Sequence, residues 1–132
     1  MCREVREMPK ARDIMTTPVV TVEGSATVAE AVSLMKEKGV RALIVERRNE
    51  EDAYGIVTQR DIVYSVMAER QDPTKVKVHE VMTKPLVVVN PDLDAVYVAQ
   101  LMAQKGLSRA PVIFDQQLQG VISVTDLIMK AM

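Results

Sequence analysis

Short β-branched runs alternate along this chain with stretches in which apolar residues recur every three or four positions. Residues 19–22 form such a run behind Pro18, suited to a strand covered on both faces. Val28, Ala31, Val32 and Met35 then fall on one face of a helix. Thr27 and Glu30 have the spacing of a capping box at its start, and Gly39 stands where a C-terminal cap belongs. Residues 42–46 and 55–58 read as two strands joined by a polar turn, and residues 60–70 as a second helix. After a connector containing Asp72-Pro73 the same order returns. A strand is expected at 86–89, then a helix with Asn90-Pro91 as cap and first turn. Its buried face would be Ala95, Val98, Ala99 and Met102, and Gly106 would end it. Strands at 110–114 and 118–121 and a helix at 126–132 complete the pattern.

The recurrence is a duplication. Shifted by 67 positions, Met15-Thr16-Thr17-Pro18 lies over Met82-Thr83-Lys84-Pro85, and Lys38-Gly39-Val40 over Lys105-Gly106-Leu107. Beyond Val45 and Val112 the offset is 65, because the first polar turn is longer by two residues. There the seven residues from Gly55 to Asp61 lie over those from Gly120 to Asp126. The chain divides into an N-terminal segment (1–12), a first motif (13–70), a connector (71–79) and a second motif (80–132). The fold class is α/β (α+β), strand–helix–strand–strand–helix twice over. Each motif offers too few layers to bury its own apolar faces, so the expectation is a pair with a shared core about a pseudo-twofold axis.

Composition removes several functions. With 48% apolar and 27% charged residues the chain has enough to build a core, which excludes disorder. A formal net charge of −1, with both signs mixed along the chain, provides no field for nucleic acid or an anionic membrane. At 3% aromatic residues there is no base-stacking platform either. Cys2, the only cysteine, can form neither an internal disulfide nor a thiolate zinc cluster. The charged first segment lacks the apolar centre of a signal peptide, and no apolar run has the length to cross a bilayer. A cytoplasmic location is expected. His79 is the sole histidine, with no nucleophile beside it in sequence, and no phosphate-binding loop or metal-ligand spacing occurs. The expectation is a protein that is not an enzyme and has no metal and no catalytic cofactor.

The most specific feature is Gly-φ-φ-[Thr/Ser]-x-x-Asp (φ apolar), once per motif. One reading is structural: Thr58 or Ser123 caps the following helix and Asp61 or Asp126 returns the hydrogen bond. The other is functional. A carboxylate accepts two hydrogen bonds at once and so suits the vicinal hydroxyls of a ribose, with the hydroxyl residue beside it. The two readings are compatible.

Together with the Met-Thr-x-Pro turns and the Gly-Val-Arg-Ala and Gly-Leu-Ser-Arg-Ala-Pro-Val entries to the second strands, this motif resembles the CBS (cystathionine β-synthase) motif. The pair resembles a stand-alone Bateman module, over a span from about Asp13 to the C-terminus. That resemblance implies a regulatory energy or metabolite sensor binding AMP first, with ADP or ATP as further ligands, in clefts between the motifs. Ribose contacts would fall to Asp61 with Thr58 and to Asp126 with Ser123. Adenine near Asp61 would lie against Met82, Thr83, Pro85, Leu107 and Ala110, with Ser108 and Pro111 on the same strand entry. Adenine near Asp126 would meet Met15, Thr16, Pro18, Val40 and Ala42. Phosphate would fall to Arg60, Lys84 and Arg109 around Asp61, and to Arg41 around Asp126, which makes the Asp61 site the tighter one. The resemblance further implies a homodimer in a four-motif disk, joined through apolar faces of the second helices (Ile62, Val63, Val66, Met67; Leu127, Ile128), and an unidentified effector protein. Alternatives are S-adenosylmethionine or NAD as ligand, or an adaptor subunit whose clefts have degenerated.

Overall fold

Capping chemistry decides where the long helices begin and end. The computed structural model describes residues 8–85 and 87–132; Cys2, and Leu86 at the head of the expected second-motif strand, lie outside the described residues. In chain order the elements are α1 (Ala11–Ile14), β1 (Thr21–Val22), α2 (Val28–Lys38), β2 (Ala42–Val45), β3 (Gly55–Thr58) and α3 (Gln59–Ile62). A π-helical stretch, Val63–Met67, continues α3; α4 (Val78–Val81), α5 (Ala95–Lys105), β4 (Arg109–Phe114), β5 (Gln117–Ser123) and α6 (Val124–Ala131) follow. Thr27 caps α2 by accepting from the Glu30 N–H at 3.1 Å, and Gly39 closes it in the left-handed region at φ 65°. Gly106, at the same φ, closes α5.

The start of α5 differs from expectation. Its cap is Asp94, whose carboxylate accepts from the Val96 N–H at 2.7 Å. Asn90 instead builds a turn, its side chain accepting from Asp92 N–H and its carbonyl from Leu93 N–H. Asp94 stands one repeat beyond Thr27, so both copies cap at the same place. Ala99, expected on the buried face of α5, is exposed.

The strand runs at 19–22 and 86–89 shorten. Only Thr21 and Val22 form β1, parallel to β2, which pairs antiparallel with β3. In the second copy Val89 makes a single parallel bridge to Val112, beside the antiparallel β4–β5 pair. The helix expected at 60–70 widens after Ile62, with Ala68 N–H reaching the Val63 carbonyl at 2.8 Å and Gln71 N–H the Val66 carbonyl at 2.9 Å. Ile62 and Val66 thereby face the core and do not belong to the exposed apolar face, which consists of Val63, Tyr64 and Met67. On α6, Leu127 packs against the core while Ile128 and Met129 are exposed.

Two compact units result, and neither coincides with one motif. One is Val19–Pro85; the other joins the described residues up to Pro18 to those from 87 onward. They are called here the Asp61 unit and the Asp126 unit. The segment before each Met-Thr turn belongs to the unit built mainly from the other motif. In the Asp126 unit, Ala11 N–H donates to the Leu93 carbonyl (2.8 Å) and Arg12 N–H to that of Pro91 (3.0 Å). In the Asp61 unit, Val78 N–H donates to Ala26 (2.8 Å) and His79 N–H to Gly24 (3.0 Å). The repeat thus extends back to Lys10 and Lys77, whose N–H groups are held by Asp13 and Glu80 carboxylates.

Each unit has a core of its own. Val28, Ala31, Met35, Leu43, Val45, Val57 and Val78 are buried together in the Asp61 unit. Their repeat equivalents Ala95, Val98, Met102, Ala110, Val112, Ile122 and Ala11 are buried together in the Asp126 unit. The borrowed segment supplies the layer each motif lacks.

Candidate functional site

Both copies of the glycine–hydroxyl–carboxylate motif form the strand-to-helix junction their spacing implies. At the end of β3, Thr58 Oγ1 accepts from Asp61 N–H (3.1 Å) while an Asp61 carboxylate oxygen accepts from Thr58 N–H (2.9 Å). At the end of β5, Ser123 Oγ accepts from Asp126 N–H (3.1 Å) and Asp126 accepts from Ser123 N–H (2.9 Å). These are reciprocal capping boxes, with hydroxyl and carboxylate side by side. A further backbone bond draws the entry to each first hairpin strand toward the same junction: Gln59 N–H to the Arg41 carbonyl (3.0 Å), and Val124 N–H to that of Ser108 (2.9 Å).

The Met-Thr turn completes each junction from the borrowed segment. Thr16 exchanges both backbone hydrogen bonds with Val121, and Thr83 does so with Ile56. Met15 thereby lies across Gly120, where an added Cβ would stand 2.6 Å from its Sδ and 3.1 Å from the Thr16 carbonyl oxygen. At Gly55 the equivalent atom would be 2.7 Å from Met82 Sδ. The motif's glycine leaves room for the first feature of the repeat, which passes directly over it; at Gly120 backbone is close as well, at Gly55 only side chains. Thr16 and Met15 join Asp126 in one unit, and Thr83, Met82 and Pro85 join Asp61 in the other.

The two carboxylates differ sharply in their surroundings. Asp61 is half-buried, and among the described residues only Thr58 donates to its carboxylate. Asp126 is 6% exposed and crowded with donors. Thr16 Oγ1 donates to it at 3.0 and 3.2 Å, Ser123 donates through N–H and hydroxyl, and the Lys130 ammonium lies at 3.0 Å. Lys130 also donates to the Ile14 carbonyl at 3.2 Å. Burial pushes the Asp126 carboxyl upward, but Lys130, the Ser123 N–H and the Thr16 and Ser123 hydroxyls outweigh it and hold the group below its ordinary value.

The cations are not distributed as the repeat pattern implies. Lys84 donates to the carbonyl of Ala53 and to Asp52 (3.2 Å), which also accepts from the Arg48 N–H. That N–H, with Lys84 and the Arg48 guanidinium, holds the Asp52 carboxyl far below the usual carboxylate range against the opposing effect of burial. Lys84 and Met82 line a cleft of about 460 Å³ with Glu23, Arg48, Asp52 and His79, and neither Thr58 nor Asp61 lines it. Lys84, expected to bind phosphate beside Asp61, here directs its ammonium to the polar turn. Arg60 lies over the Tyr64 ring, 5.2 Å from the centroid. Arg41 and Val40, with the partly exposed Ala42, belong to the Asp61 unit; Leu107, Ser108 and Arg109 belong to the Asp126 unit, and Pro18 lies at its edge. Ala110 and Pro111 are fully buried.

Lys130, Ile14 and Asp52 escaped the sequence reading. The i, i+4 spacing of Asp126 and Lys130 was the available signal. No group of three or more histidine, cysteine or acidic side chains suited to a metal occurs among the described residues, and no described helix is long and apolar enough to cross a membrane.

Comparison with known proteins gives consistent findings. The family model for the CBS domain matches residues 11–68 and 78–132. The chain is 36% identical over 125 residues to the CBS domain-containing protein YhcV of Bacillus subtilis (strain 168), spanning 95% of this chain and 87% of that protein. It is 31% identical over 128 residues to inosine-5'-monophosphate dehydrogenase of Methanocaldococcus jannaschii, of which it spans 24%. Among solved structures, the hexameric CBS-CP12 protein from bloom-forming cyanobacteria superposes with a TM-score of 0.89 at 56% identity, over 96% of this chain and 70% of that one.

Proposed function

Because the chain belongs to the CBS domain family, as a tandem pair of motifs whose family role is regulatory ligand binding, we propose that it senses an adenine nucleotide, AMP foremost, through the Asp61 junction. The observation that carries this reading is the open carboxylate of Asp61. One hydrogen bond, from Thr58 N–H, leaves it with acceptor capacity for the 2′- and 3′-hydroxyls of a ribose. The Thr58 hydroxyl accepts from Asp61 N–H and keeps its own proton to donate. Arg41 and Arg60 are exposed cations of the same unit and are the candidates for phosphate. Ligand hydroxyls in place of water at Asp61 would link occupancy to the stability of the β3–α3 junction.

Calorimetric titration with AMP, ADP, ATP, S-adenosylmethionine and NAD tests this. A saturating true ligand raises stability by a few kcal/mol, about 2.7 kcal/mol at one hundred times Kd. Asp61→Ala is expected to abolish AMP binding, and unchanged binding by that variant would remove Asp61 from the site.

A second reading, a dimerisation or adaptor subunit, is favoured by exposed apolar side chains. Tyr64 and Met67 are 60% and 70% exposed, and Ile128 and Met129 are 59% and 73% exposed. The CBS-CP12 relative is a hexamer, and self-association of this chain is proposed on the same grounds. Ligand sensing and self-association are compatible, with an effector protein reading the result.

A further inference from the structure

We propose that Lys130 is a built-in plug of the second junction, whose ammonium takes the place of ligand hydroxyls at Asp126 and makes the two copies of the site unequal. The inference rests on the ribose reading of the carboxylate at these junctions, and it names the residue that decides which copy can act.

The two junctions share their backbone. Each has the reciprocal hydroxyl–carboxylate box, the same pairing with a Met-Thr turn and the same bond from the helix start to the strand entry. Besides the Thr16 and Ser123 hydroxyls, which donate to Asp126 alone, a difference lies one helical turn further on. Lys130 stands four residues after Asp126, whereas Ser65 stands four residues after Asp61. An i, i+4 ion pair on an exposed helix face is weak and samples many geometries. This one bridges two acceptors, with the Lys130 side chain 45% exposed. The ammonium lies 3.0 Å from Asp126 and also donates to the Ile14 carbonyl at 3.2 Å, so it spans α6 and the end of α1.

The consequence is saturation. Ser123 N–H, the Thr16 hydroxyl and the Lys130 ammonium supply the donors that a buried carboxylate needs, and Asp126 retains 6% of its surface. A ribose would have to displace an ammonium from a carboxylate and leave the Ile14 carbonyl without that donor. At Asp61 it displaces only water. The nucleotide therefore goes to one copy, and the other copy is spent on tying the segment before Met15 to α6.

Titration of AMP into the parent, Lys130→Met, Lys130→Gln and Lys130→Met/Asp61→Ala proteins tests the proposal. The parent should bind one equivalent per chain, each single variant two, and the double variant one, which Asp126→Ala then removes. Parent-like stoichiometry in both folded Lys130 variants would overturn the plug. If Asp61→Ala leaves the parent's binding intact while the Lys130 variants still gain a site, the Asp61 reading falls and the plug stands. If no protein binds AMP, both fall. Carbon-13 titration of the Asp126 carboxyl gives a readout independent of ligand. Loss of the ammonium should move that titration upward, and an unmoved titration in both variants would show that Lys130 does not hold Asp126 in solution.

Discussion

The same residue types in the same motif have different uses at Asp61 and Asp126. Thr16 donates its hydroxyl to Asp126, while its repeat equivalent Thr83 makes only backbone bonds to Ile56. Thr16→Val should therefore destabilise the protein by about 1–2 kcal/mol, as for a lost hydrogen bond to a charged group with other donors remaining. Thr83→Val should stay within about 0.5 kcal/mol, like an ordinary surface substitution. Urea denaturation of the two variants checks the contrast, and equal losses would contradict it. Acid should act through Asp126 as well. Its carboxyl is held below its ordinary value, so its contribution is complete above about pH 5, where the unfolded group is ionised. That contribution is lost as pH falls through the lower folded value. Stability measured from pH 6 down to pH 2 should fall less steeply in Asp126→Asn than in the parent, and parallel curves would refute this.

At the scale of elements, capping chemistry is local and was readable. Thr27, Gly39 and Gly106 bound their helices as their spacing implies, and both capping boxes formed at Thr58 and Ser123. Asn90 misled because Asp94, four residues on, offers a carboxylate at the repeat's own cap position. The π-helical turn after Ile62 had no periodic signature, since Ile62 and Val66 fit an α-helical stripe equally well. The four-residue helices α1 and α4 were missed because they are too short to show a period. They matter nonetheless. Ile14 is 2% exposed, packed in the core of the Asp126 unit although it comes from the opposite end of the chain. Ile14→Ala should cost about 2–4 kcal/mol, the range for emptying a buried aliphatic site. Denaturant unfolding measures it, and a loss under about 0.5 kcal/mol, as on a surface, would show that α1 does not serve that core.

For the whole molecule, the exposed apolar residues carry a prediction about assembly. Met67→Lys with Ile128→Lys should lower the mass of the protein in solution, as read by light scattering, if these faces join copies of the chain. An unchanged oligomer would place the interface elsewhere. By itself the sequence determined the duplication, the class of each long element, both ends of α2, the end of α5 and the pairing of Thr58 with Asp61 and Ser123 with Asp126. All of these depend on residues within a few positions of one another, or on the likeness of one copy to the other. Tertiary structure alone decided which motif's leading segment fills which core, what crosses over Gly55 and Gly120, and where Lys84 and Lys130 send their ammonium groups. Those outcomes depend on partners separated along the chain: Thr16 reaches Asp126 across 110 positions and Lys130 reaches Ile14 across 116. A long flexible cation has no preferred partner until folding sets the carboxylates and carbonyls around it. In the sequence the two sites differ by the cations expected beside them; the packing around their carboxylates adds that one is left open and the other filled.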